Sequence, residues 1–396
     1  MKFRQAKLQI ALCLSAFLLS SGSAFAADSN QDKWQKIYTT GKESLRLAEY
    51  GKAERQLNQA VILSAAFGEG DKRFADSLGS YGEYLTIRGR FGEAEPILEE
   101  ELHARELCTD TTSGAILPSM SSLVGFYINN GTQAKAAPLA ERLLAFVEGK
   151  MSEHRQAQSG PLTLKKGQPL TGWAGSAAKS MVTPVIEWAI ALDAIGNDFK
   201  SIKDYDMAER LFDAALEVKE TVLGKDHLSL ANSFDNLAAV YQERQDEARA
   251  EQYYRYALET TIRVLGEKEP LAYAQVYNRL DKLAKCLVKQ QKYEEAETLY
   301  LSAIKRDFWK DDPSKAGVEA RLYYSLGNVY VLEKKFELAE PVLKKALEVA
   351  EGYFGSESIS LVPFFQRNAD NMYYLKKDDL RVQYKSRANA ITDTTM

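Results

Sequence analysis

The side chains best suited to metal or nucleophilic chemistry are three histidines, His103, His154 and His227, and three cysteines, Cys13, Cys108 and Cys286. No histidine has a second histidine or a cysteine at the spacing that closes a zinc site. A Gly-rich phosphate cradle, a Gly-x-Ser-x-Gly nucleophile elbow and a dinucleotide fingerprint are all missing from the sequence. The carboxylate runs Glu99-Glu100-Glu101 and Glu294-Glu295 read as solvated helix faces, and most of the 21 tyrosines fall in positions that read as packing. The expectation is therefore a non-catalytic chain with no cofactor and no metal. Its polar chemistry is recognition chemistry, and whatever elements recur along the chain must position it.

Those elements are announced by repetition. Tyr205-Asp206-Met207-Ala208-Glu209-Arg210-Leu211-Phe212 returns as Tyr293-Glu294-Glu295-Ala296-Glu297-Thr298-Leu299-Tyr300 and as Phe336-Glu337-Leu338-Ala339-Glu340-Pro341-Val342-Leu343. With the alanine as anchor, the series is Ala53, Ala94, Ala136, Ala208, Ala250, Ala296, Ala339 and, weakly, Arg381, at intervals of 41, 42, 72, 42, 46, 43 and 42. A large residue follows at the fourth position (Leu57, Leu98, Phe212, Tyr254, Tyr300, Leu343) and a small one at the seventh (Ala60, Ala215, Ala257, Ala303, Ala346, Ala388). Those offsets mark one face of a helix. An apolar-small pair precedes the anchor by 13 and 12 residues, as in Tyr81-Gly82, Ile195-Gly196, Leu237-Ala238, Leu283-Ala284 and Leu326-Gly327. That pair marks an earlier helix. Small residues let the two helices approach and large ones fill the gaps between them.

One helix pair cannot bury its apolar face alone, so pairs must stack. The pattern resembles the tetratricopeptide repeat, whose usual period is about 34 residues. Its longer interval resembles the kinesin-light-chain subtype, as do Leu223-Gly224-Lys225-Asp226-His227 and Leu265-Gly266-Glu267-Lys268-Glu269-Pro270 after second helices. The resemblance spans roughly residues 34–390 and is strongest over 186–355. It implies an all-α fold, an α-α superhelix (TPR solenoid) of about eight helix pairs. The expected organisation is a signal peptide at 1–26, about three repeats over 34–148, a flexible insertion at 149–181, and about four repeats plus a capping pair over 182–392. The insertion accounts for the 72-residue interval, and Ser159-Gly160-Pro161, Gly167-Gln168-Pro169 and Gly172-Trp173 break any helical period there. In the last pair Arg381 takes the anchor, Lys385 an apolar position and Asn368 the place of a leucine. Such a pair reads as a polar cap.

What the resemblance implies about function is a groove lined by the exposed faces of the first helices. Its columns here supply Asn197, Asn232, Asn236, Asn278, Lys282, Lys285, Arg321 and Asn328 as candidate peptide-binding residues, with Asp193, Asp235, Asp281, Tyr324 and Arg367 beside them. Asparagine offers both a donor and an acceptor, and so can clamp a peptide backbone without reading its side chains. Some relatives hold a terminal carboxylate with lysine, arginine and asparagine in these columns. Here Asn197, Asn236 and Lys282 match, but Asp193 and Asn278 stand where two basic residues would. The loss of positive charge favours an internal peptide backbone over a terminal carboxylate.

The chain opens with Lys2, Arg4 and Lys7, runs apolar from Leu8 to Leu19, and reaches Ser23-Ala24-Phe25-Ala26. That order reads as a secretory signal cleaved after Ala26, too short for a membrane anchor. Removing it leaves 48 basic against 55 acidic side chains. A net charge of −7 then gives no general attraction to nucleic acid or anionic membrane. The expected partner is a protein or peptide, with no nucleic acid and no membrane insertion after cleavage. The expected role is a binding scaffold in the periplasm or outside the cell; the alternative is a structural subunit of an envelope or secretion assembly, with an enzyme the least favoured reading.

Overall fold

Each of the eight anchors is preceded, five residues earlier, by a residue in the left-handed region. These are Ala48, Gly89, Gly131, Lys203, Gln245, Gln291, Lys334 and Lys376, with φ from 58° to 73°. Each closes a helix by the same six-to-one hydrogen bond, from Glu49 N to Ser44 O at 2.8 Å in the first pair to Lys377 N to Met372 O at 2.9 Å in the last. This is the Schellman stop, and it satisfies carbonyls that the helix end would otherwise leave bare. Only two of the eight are glycine, although the left-handed region costs an L-residue about 1 kcal/mol. Gln291→Gly is accordingly expected to raise stability by about 0.5–1 kcal/mol, read as a shift in the urea midpoint at unchanged slope. A loss of stability would mean that the glutamine side chain contributes more than the strain it carries.

The computed structural model describes residues 25–108, 116–157, 176–265, 270–305 and 316–395. Over these residues the protein is all-α, with sixteen α-helices in eight antiparallel pairs and no strand among the described residues. It divides into two compact bodies, Met1–Gly224 and Lys225–Met396. The first holds α1 (Phe25–Arg46), α2 (Tyr50–Ala65), α3 (Lys72–Ile87), α4 (Phe91–Cys108), α5 (Leu117–Asn129), α6 (Gln133–Ala157), α7 (Ser176–Ser201) and α8 (Tyr205–Leu223). The second holds α9 (Leu228–Glu243), α10 (Glu247–Leu265), α11 (Pro270–Lys289), α12 (Tyr293–Lys305), α13 (Ala316–Leu332), α14 (Phe336–Phe354), α15 (Val362–Tyr374) and α16 (Asp378–Thr395). Residues 1–24, which carry most of the expected signal peptide, lie outside the described residues.

Within a pair, close approach is set by the small residue of the first helix against the large one of the second. A Cβ added at Gly82 would sit 2.5 Å from Leu98 Cδ2, one at Gly196 2.7 Å from Phe212 Cε1, and one at Gly327 2.4 Å from Leu343 Cδ2. The first pair obeys the same rule, with Gly41 against Leu57 at 2.9 Å. The third reverses it: Val124 takes the first-helix position and Ala140 the second, both fully buried. Volume across the interface is conserved even where the residue types are exchanged.

Between pairs, a charge ladder recurs. The glutamate just after the anchor meets a basic residue that opens the second helix of the next pair. Glu54 meets Arg90 at 2.5 Å, Glu251 meets Lys292 at 2.7 Å, Glu297 meets Lys335 at 3.7 Å and Glu340 meets Lys377 at 2.7 Å. Glu95 is held by Lys135, which stands three residues further into its helix. A lysine or arginine is a poor helix opener, because the N-terminus already carries partial positive charge. Its partner on the preceding pair accounts for its presence.

Three expectations are revised. The helix α6 continues to Ala157 and α7 begins at Ser176, so both flanks of the insertion placed at 149–181 are helical. Gly149 alone costs a helix only about 1 kcal/mol, and burial of Val147 and Met151 offsets it. The division into bodies falls after Gly224, because pairs three and four pack across the insertion. Phe146 and Trp188 meet edge to face at 5.6 Å and Arg210 bonds Glu141 at 2.5 Å. Finally, Asn368 is buried in the last pair and not solvated: its amide donates to Leu343 O and Phe364 O at 3.1 and 3.0 Å. Tyr373, Tyr374 and Val382 meanwhile stand exposed beside it, so the terminal pair is not uniformly polar.

Candidate functional site

Of the histidines and cysteines, His227 and Cys286 hold structural positions. His227 caps α9, its Nδ1 accepting from Ser229 N at 3.2 Å. Cys286 is buried, with its thiol donating to Glu247 O and Oε2 at 3.4 and 3.3 Å. Burial, reinforced by that carboxylate, pushes the thiol up to about 12, the opposite of what a nucleophile needs. No cluster of three metal-ligating side chains occurs among the described residues, and no helix there is long and apolar enough to cross a membrane. Glu101, expected on a solvated face, is instead buried; it accepts from Ser119 Oγ at 2.6 Å and faces Arg105 at 3.5 Å. Desolvation holds its carboxyl above the usual range despite both partners.

Asn197 lies on α7 in the first body and is committed locally. Its amide donates to Asp193 O at 2.8 Å and its oxygen accepts from Lys200 at 2.9 Å. The other seven candidates lie on first helices of the second body: Asn232 and Asn236 on α9, Asn278, Lys282 and Lys285 on α11, and Arg321 and Asn328 on α13. Three of these, Asn232, Lys282 and Lys285, enter two polar networks.

The first network centres on Asp235. Its carboxylate lies 3.1 Å from Arg279 Nε and 3.2 Å from Lys282 Nζ, while Arg279 Nη2 donates to Asn232 Oδ1 at 2.6 Å. Arg279 is only 5 % exposed, and a guanidinium so buried needs its carboxylate. The second network centres on Asp281, which accepts from Tyr300 OH at 2.8 Å and Ser325 Oγ at 3.2 Å and pairs with Lys285 at 2.6 Å. Burial and the Asp281 carboxylate together push the Tyr300 phenol well above its ordinary value. Tyr277 is raised for the same reasons, burial first. Asn278 and Arg321 are exposed, and Asn236 is half-buried on α9.

Two acceptors in this region lack a hydrogen-bond donor. Asp235 Oδ1 faces Lys282 at ion-pair distance without hydrogen-bond alignment, and Asn328 Oδ1 is buried with no donor. Buried acceptors are ordinarily satisfied. With the exposed Asn278, Lys282 and Lys285, they give the first helices α9, α11 and α13 both acceptors and donors. An extended peptide backbone presents the complementary donors and acceptors.

Arg279 is the residue the sequence reading missed. It stands four residues before Leu283 and eight before Leu287, on the buried stripe of α11. A cation on an apolar stripe implies a buried anion facing it, and that was the available signal.

The tetratricopeptide repeat family models match residues 189–262 and 320–353. Among curated proteins none matches the chain. Among solved structures it is similar to BtubC (BKLC) from P. vanneervenii, at 16 % identity over 67 % of this chain and 89 % of that one, with a TM-score of 0.41. It is similar also to the nearly identical TPR-like repeats of a Podosopora anserina kinesin light chain, at 17 % identity over 62 % and 98 % with a TM-score of 0.40. A third is YrrB, a TPR protein with an unusual peptide-binding site, at 16 % over 55 % and 93 %, with a TM-score of 0.34. The chain carries tetratricopeptide repeats, and its fold is the all-α stack of helix pairs that such repeats build.

Proposed function

We propose that the protein is a non-catalytic scaffold that clamps an internal peptide segment along the first helices of its second body, and that it does so outside the cytoplasm. The observation that carries the groove reading is the buried, donor-less Asn328 Oδ1 on α13, with the exposed Asn278 and Lys282 on α11, the first helix of the preceding pair. Asp235 and Asp281 hold most of the local positive charge in ion pairs. A site neutralised from within suits backbone clamping better than carboxylate capture. The export reading rests on the basic, apolar and small-residue order of residues 1–26.

A photo-crosslinking residue at Asn232 or Asn278, introduced in the native host, is expected to give adducts with one partner protein. The same residue at the exposed Leu301 on α12 is not. Asn236→Ala with Lys282→Ala should reduce the groove adducts about tenfold, the loss of roughly 1.4 kcal/mol. Adducts confined to other copies of this chain, or equal at all three positions, would sink the groove reading. Amino-terminal sequencing of the same material is expected to begin at Ala27; a chain that keeps Met1 in the cytoplasm rules out export.

A further inference from the structure

The last helix pair departs from the other seven at the two positions that ordinarily close its interior. Where the seventh pair has Ala339 and Leu343, both fully buried, the eighth has Arg381 and Lys385. Neither cation can fill those positions as the apolar residues do, and a pocket of about 630 Å³ opens over Ala369. Its polar lining is Lys334, Arg367, Arg381 and Lys385 against a single acid, Asp370. Its apolar lining includes Phe336 and Tyr374, stacked at 4.5 Å with 8° between the planes, and the exposed Tyr373.

Arg381 is held in place yet not satisfied. Its guanidinium lies over the Tyr373 ring at 5.4 Å and its Nε is 3.3 Å from Asp378 Oδ1. That Nε is nonetheless buried and makes no hydrogen bond. Four cations around aromatic walls favour an anion that also carries apolar surface. The acids just outside the pocket, Asp378 and Asp379, oppose a long polyanion such as a nucleic acid.

We propose that this pocket is a second docking site, separate from the residues on α9, α11 and α13, for a short acidic segment of a partner protein that seats an aromatic or aliphatic side chain against Phe336 and Tyr374. The acidic groups pair with Arg381, Lys385 and Arg367. Such a site would let one scaffold hold two segments at once and gain affinity through their linkage.

The test uses the whole chain and a fluorescein-labelled peptide alternating glutamate with phenylalanine and leucine, read by fluorescence polarisation. The wild type is expected to bind it and to ignore the same peptide with lysine for glutamate. Raising salt from about 0.05 to about 0.5 M should weaken binding severalfold. Arg381→Glu with Lys385→Glu should weaken it at least about tenfold at an unchanged melting curve, while Asn236→Ala with Lys282→Ala should not. Should the charge-reversed chain fail to fold, amide exchange on the wild type decides: the bound probe must protect residues 362–385. The proposal is overturned if the acidic peptide does not bind, binds the charge-reversed chain equally, or protects α9 and α11 instead. It is likewise overturned if a single-stranded oligonucleotide displaces the probe, or if the pocket proves to be occupied by a second copy of the chain in sedimentation.

Discussion

Gly327→Val is expected to destabilise the protein by about 1–3 kcal/mol through overpacking, and Leu343→Ala by about 2–5 kcal/mol through a cavity. The double variant is expected to lose less than the sum of the two. The reason lies in the third pair, where the same two positions hold Val124 and Ala140 and both are fully buried. In the seventh pair a methyl group at position 327 would sit 2.4 Å from Leu343 Cδ2. Removing that leucine makes the room the valine needs. A double-mutant cycle in urea should therefore show a favourable coupling of about 1–3 kcal/mol. Simple additivity would mean that the two positions do not share one volume, and the small-against-large rule would fail as the account of how the helices pair.

Asp235→Ala should cost about 3–5 kcal/mol, more than any change at an exposed groove residue. It strips the carboxylate from Arg279, which is 5 % exposed and cannot deprotonate to escape. Asn232 still accepts from Arg279 at 2.6 Å, but a neutral amide oxygen replaces only part of the lost interaction. Lys282→Ala removes the other, half-exposed cation beside Asp235 and should cost well under about 1 kcal/mol. The decisive comparison is the pair of melting curves. Equal small losses would show that solvent reaches Arg279, and Asp235 would then be an ordinary surface carboxylate.

The stacking of helix pairs was legible because it is written in apolar and small residues at helical spacing, and each such signal lies within about 25 residues of its anchor. The turns were not, since a left-handed Lys334 or Gln291 looks like any surface residue. The ladder was legible in principle: Glu297 and Lys335 follow the same register as Glu340 and Lys377. A carboxylate on a helix reads as a solvated face unless its partner is known, and Glu101, buried against Ser119 and Arg105, shows how far that reading departs from the structure. The groove columns named the right helices. What they could not give is which side chains spend their charge on each other, since Asp235 and Arg279 or Asp281 and Ser325 lie 44 residues apart and meet only through stacking. Nothing in the residues around Gly149 signals that α6 runs on to Ala157, past the start of the insertion expected at 149–181; the buried Met151 carries it there.

The ladder also bears on how such a chain could have grown. The second body has the same glutamate-to-basic joint at three successive junctions, Glu251 with Lys292, Glu297 with Lys335 and Glu340 with Lys377. A pair copied in tandem and placed between two of the originals would present a basic residue to the pair before it and a glutamate to the pair after. Both junctions would be electrostatically matched from the first generation, with no substitution required. Lengthening by duplication is therefore cheap for this architecture, because the register of the joint is already the same at each of these junctions.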